Sequence, residues 1–141
     1  MALYQKFYQF VEDLAKKVHN LNSDTLKVML TNTAPVATNT VLANITEITP
    51  GNGYSAGGSA ATFVSGAQSS GTYKLVLNDV TFTASGGSIG PFRYAVLYND
   101  TPTSPADPLI AWWDYGTSLT LTNGNSFTVN LDQSSGVFTA Q

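Results

Sequence analysis

A chain of 141 residues is long enough for one domain with its own core, and the absence of cysteine excludes disulfide staples and thiolate metal sites. A single histidine leaves no nitrogen ligand set for zinc. Charged residues make up 11% of the chain and the net charge is −3, so there is no basic footprint for a nucleic-acid backbone and no nucleic-acid partner is expected.

No apolar run approaches the ~18 residues of a membrane span, so no membrane partner is expected either. The N-terminus lacks a secretory pattern, because Lys6, Glu12, Asp13 and Lys16 interrupt its apolar residues. The chain is therefore expected in the cytoplasm of the cell that makes it. Thr, Ser, Asn and Gly fill the place of the missing charges. A surface of neutral hydroxyls and amides repels other copies weakly, which suits close packing in an assembly.

Residues 3–21 carry a helical period, with Leu3, Phe7, Phe10, Leu14, Val18 and Leu21 at three- and four-residue steps and Val11 beside them. Lys16 and Lys17 follow Glu12 and Asp13, an order that favours the helix dipole. The spacing predicts one amphipathic helix, an N-terminal element over residues 1–22, stopped by the Asn20–Asp24 run. Tyr4, Phe7, Phe10, Val11 and Leu14 form its candidate interface, since aromatic residues often anchor protein contacts. The competing reading is that this stripe simply packs on the rest of the fold.

From residue 23 to 141 the pattern is that of a β domain. Thr25–Thr31 alternates, with Leu26, Val28 and Leu30 on one face. Tyr73, Leu75 and Leu77 alternate likewise, and Val80 and Phe82 resume out of phase after Asn78 and Asp79, which predicts a bulge or tight bend there. Phe92, Tyr94, Val96 and Tyr98 share one face of a further strand, and Leu109–Tyr115 is apolar on both faces, as a central strand would be. Leu119 and Leu121, then Asn123-Gly124, then Phe127, Val129 and Leu131 read as a hairpin. Val137–Thr139 reads as a last short strand.

Gly and Pro clusters separate these runs, and segments 32–42 and 50–60 read as long loops or extended arms, either ordinary surface loops or a second docking element that orders on binding. Six to eight short strands after one helix define the expected class. It is mainly β, a β-sandwich or jelly-roll-like barrel preceded by an N-terminal amphipathic α-helix.

Chemistry has few footholds. His19 falls at the end of the predicted helix with no nucleophile or orienting acid in a local pattern. Asp114 beside Trp112 and Trp113, paired with Glu47, Asp79 or Asp100, could in principle supply two carboxylates. A strand-end acid beside core aromatics accounts for it more simply. The Gly51–Gly58 stretch lacks the Lys-Ser/Thr ending of a phosphate loop, and no calcium loop register is present. No catalytic residue, metal or cofactor is expected. Trp112, Trp113 and Tyr115 form a candidate aromatic cluster, and with Tyr54 they could stack on a sugar or pack inside the fold and against a neighbour.

The blocks Asp24–Asn39 (DTLKVMLTNTAPVATN) and Ile45–Tyr54 (ITEITPGNGY) resemble small proteins of tailed-bacteriophage virions. So do Ser70–Leu77 (SGTYKLVL), Ile89–Asp100 (IGPFRYAVLYND) and Pro108–Gly116 (PLIAWWDYG). The resemblance implies a non-enzymatic virion structural protein, first of all a head decoration (cement) protein on the capsid surface. Its partners would be the major capsid protein or other virion proteins and its own copies, as a homo-oligomer such as a trimer. A tail, fibre-associated or receptor-side component, including a glycan binder, is the alternative. The resemblance implies no catalytic residues.

Overall fold

The computed structural model describes residues 3–131 and 136–140. The ends of the two predicted segments, residues 1–2 and 141, lie outside the described part. Among the described residues there are ten strands, one α-helix and one 3-10 turn. They run β1 (Leu3–Lys6), α1 (Tyr8–Ala15), β2 (Leu26–Thr31), the 3-10 turn (Leu42–Asn44), β3 (Ser59–Ala61) and β4 (Phe63–Ser69). Then come β5 (Thr72–Leu77), β6 (Val80–Thr83), β7 (Ile89–Asn99), β8 (Leu109–Leu121), β9 (Ser126–Val129) and β10 (Phe138–Ala140).

A five-stranded antiparallel sheet in the order β1-β8-β7-β2-β3 forms one layer. A three-stranded sheet, β10-β5-β4, and a two-stranded pair, β6-β9, complete a mainly β, sandwich-like fold with one helix near the N-terminus. The register pairs Val96 with Met29 and Trp112, and Ala95 with Leu30 and Trp113. Side chains alternate along a strand, so these two sets lie on opposite faces of the large sheet. All six are buried, which means the sheet is covered on both sides. Hence β2, β7 and the first half of β8 read as nearly continuous apolar runs.

The predicted helix over 3–21 is corrected to a strand, a short helix and a turn. Leu3–Lys6 lies along the edge of β8, with Tyr4 opposite Trp113 and Gln5 opposite Trp112. Phe7 is extended, and the helix spans only Tyr8–Ala15. It ends in a Schellman motif: Lys17 N–H donates to Leu14 O and Val18 N–H to Asp13 O at 2.9 Å, with Lys17 at φ 66°. A free β8 edge gives residues 3–6 a ladder of backbone hydrogen bonds that a longer helix could not reach. The N-terminal segment is thereby built into the main sheet.

Of the bulge or tight bend expected at Asn78-Asp79, the chain takes the bend, passing from the three-stranded sheet to the two-stranded pair. One strand expectation changes. Leu119–Leu131 is not a hairpin, because β9 turns away from β8 and pairs with β6, Phe82 opposite Phe127. The last short strand is present as β10. A strand the sequence pattern did not predict, β4, pairs with β5 through a two-residue turn at Ser70 (φ 51°) and Gly71 (φ 84°), the geometry of a tight hairpin.

The predicted arm at 50–60 is tied down. Tyr54 is 2% exposed, donates its hydroxyl to Glu47 Oε2 at 2.7 Å and accepts from Leu30 N–H at 3.1 Å. Gly57 N–H donates to the same Glu47 oxygen, and its carbonyl accepts from Tyr98 OH. Gly58 lies so close to β2 that a Cβ there would overlap the Val28 carbonyl oxygen. In segment 32–42, a turn holds Val36 N–H to Asn39 Oδ1 and Asn39 N–H to Val36 O, both at 2.8 Å.

Candidate interaction surface

The helix places the predicted interface residues on two sides. Phe7 and Phe10 point inward and are fully buried. Phe7 stacks at 4.5 Å on Trp112 and donates its N–H to Ile110 O, while Phe10 meets Phe138 of β10 edge-on at 5.2 Å. Both are core anchors that hold α1 to the sheets. Leu14 is half-buried and lines an apolar groove of about 300 Å³ with Leu21, Tyr73, Phe138 and Ala140, edged by Asn20 and Asn22. Tyr4 is 39% exposed, with burial of its ring side pushing its hydroxyl up to about 12.

Val11 faces outward, 52% exposed, and so does Tyr8 three residues before it, at 68%. Residues three apart share a helix face, so the two form one apolar stripe. Tyr8 N–H donates to Ala37 O at 2.9 Å, which brings the start of the helix against the 36–39 turn, where Val36 is 56% exposed. Tyr8, Val11 and Val36 are thus large apolar side chains presented to solvent on two segments joined by that hydrogen bond. The stripe is bordered by the exposed Glu12–Lys16 ion pair at 2.9 Å. Tyr8 was legible as a member only from its position beside the buried set. Its three-residue step to Val11 was the available signal.

The aromatic cluster goes inside. Trp112 and Trp113 are each buried, and Tyr115 packs edge-on against Phe127 at 4.9 Å, burial pushing its hydroxyl up to about 12. Tyr54 is buried as well, Tyr115 is half-buried, and the adjacent Trp112 and Trp113 lie on opposite faces of the sheet, so the four do not share one surface.

The acids weighed for paired chemistry each have a local partner. Arg93 holds Asp114 through Nε at 2.8 Å and Nη2 at 3.2 Å, and Gly116 N–H donates to the same carboxylate. The guanidinium, with the backbone N–H, keeps the Asp114 carboxyl below its ordinary value. Glu47 accepts from Tyr54 and Gly57, Asp79 from Leu131 N–H at 2.6 Å, and Asp100 pairs with Lys27 at 3.1 Å. Among the described residues no helix is long and apolar enough to cross a membrane.

No protein-family model, curated protein or solved structure matches the chain. By its fold the chain is a mainly β, sandwich-like protein with one short helix.

Proposed function

We propose that this chain is a non-enzymatic structural component of a virion, one that works in many copies, and in the first instance a decoration protein on the head of a tailed bacteriophage. The observation that carries the reading is the outward apolar stripe of Tyr8 and Val11, with Val36 at the adjoining turn. It sits on a helix whose other side already serves the core. A surface with so few charges adds little repulsion when copies are brought together. The strand blocks that resemble virion proteins belong to the same reading, as do the major capsid protein and further copies of the chain as partners.

The proposed docking surface keeps Val11 from the set named from sequence and adds Tyr8, because Phe7 and Phe10 are buried in the core while Tyr8 and Val11 are exposed to a neighbour. The test is to mix the purified protein with expanded capsid shells that lack it. Co-sedimentation and greater heat resistance of the shells are the expected result; the absence of both would end this proposal. A tail or fibre-associated location is the second reading, distinguished by labelling the protein in intact particles. Its glycan-binding form loses three of the four rings weighed for stacking, since Tyr54, Trp112 and Trp113 are interior.

A further inference from the structure

Beneath α1 lies a polar cluster that the docking surface does not use. His19, the chain's one histidine, is 6% exposed, and Asp13 on the inner side of the helix is 4% exposed. His19 Nδ1 lies 3.0 Å from Asn99 Nδ2 at the end of β7. The same Asn99 nitrogen donates to Asp24 Oδ2 at 2.7 Å, and Asn99 Oδ1 accepts from Thr101 N–H at 3.0 Å. A carboxylate only accepts and a backbone N–H only donates, so these two contacts decide which end of the amide is nitrogen. His19 Nδ1 must then be an acceptor, and the neutral ring carries its proton on Nε2.

The groups facing the imidazole come from each surrounding element. They are Asp13 and the Phe10 ring (5.2 Å) from α1, Asp24 from the turn before β2, and the neutral Asn99 from β7. His19 Nε2 and Asp13 Oδ2 are both buried with no hydrogen-bond partner. Asp13 acts on the ring through its charge, its other oxygen accepting from Gln9 Nε2 at 3.0 Å.

We propose that this cluster is an acid-operated latch, in which a proton taken up at His19 Nδ1 sets two donors against each other and frees residues 16–24, the segment that ends α1, from β7. The amide of Asn99 cannot turn to meet the new N–H without giving up both Asp24 and Thr101. Burial acts in the same direction by favouring the neutral ring, while the Asp13 and Asp24 carboxylates pull the other way and only partly offset it. The sign follows from proton counting. An unfolded or released histidine takes up its proton near pH 6.5, whereas the latched one resists it, so the latch is at full strength above that pH and weakens as the pH falls through it.

Nitrogen NMR of the intact chain tests this directly, because a single histidine makes the assignment unambiguous. The Nε2–H tautomer is expected at pH 7.5. Hydrogen exchange of the amides at the C-terminal end of α1 (Lys16, Lys17 and Val18), corrected for intrinsic rates and compared with β7, should be faster at pH 5.5 than at pH 7.5, by up to about ten-fold. His19→Asn, which keeps an acceptor where Nδ1 stood but does not titrate, should remove that acceleration. An Nδ1–H tautomer at pH 7.5, helix exchange indifferent to pH, or an equal acceleration in the variant would overturn the latch. Should the variant not fold, the tautomer and the wild-type exchange decide the matter by themselves.

Discussion

Tyr4 of β1 lies directly opposite Trp113 of β8, their rings edge-to-face with centroids 5.7 Å apart. This pair closes the β1 edge of the main sheet and makes the first strand part of the core structure. Tyr4→Ala should cost ~1 kcal/mol through the lost ring pair and burial, and Trp113→Ala ~3–5 kcal/mol through the cavity it leaves. Urea unfolding of both single variants and the double variant measures this. A double-variant cost equal to the sum of the singles would show that the rings are not coupled.

Lys17 occupies the left-handed position of the helix-ending motif at φ 66°, where glycine is the usual residue. Relief of that strain should make Lys17→Gly more stable, by about 1 kcal/mol. Thermal melting is the check. A lower melting temperature would mean that the Lys17 side chain stabilises the turn by more than its backbone strains it.

Tyr8 and Val11 separate docking from folding. Tyr8→Ser with Val11→Ser should leave stability within about 0.5 kcal/mol, as expected of exposed positions, while Phe7→Ala should lose about 3–5 kcal/mol. Shell binding by the double serine variant should fall at least ten-fold, because burying a large apolar side chain is worth ~1.5–3 kcal/mol. Sedimentation with empty shells reads the difference. Undiminished binding would move the docking surface elsewhere on the fold.

Asp114 should reveal itself through acid titration. Its carboxyl is held below the ordinary value, first by the hydrogen bond from Arg93 and then by Gly116 N–H. A depressed carboxyl contributes stability above the unfolded value of about 3.9, and the contribution disappears as the pH falls through the folded value. Wild type and Asp114→Asn should therefore differ in urea midpoint by a constant amount at neutral pH and converge in strong acid. A gap that persists at pH 2 would point to packing rather than charge.

The sequence by itself determined the class of fold. Period-two apolar runs at Leu26–Leu30, Tyr73–Leu77 and Phe92–Tyr98, with Gly and Pro between them, place one strand after another because alternation is a local property of each segment. It also marked Phe7 and Phe10 as special without deciding whether they face a neighbour or the interior. What only the tertiary structure decided is pairing. Leu3–Lys6 follows a helical period yet forms a strand, because β8, more than a hundred residues later, offers it an open edge. The Asn123-Gly124 turn is real, but β9 pairs with β6 because hydrogen bonds between strands depend on which edge is vacant and not on sequence distance. β4 carries almost no apolar pattern since its side chains are mostly exposed, and the hairpin turn with its ladder to β5 makes it a strand. His19 shows the same division, for its partner Asn99 stands eighty residues away and only the folded chain brings the two together.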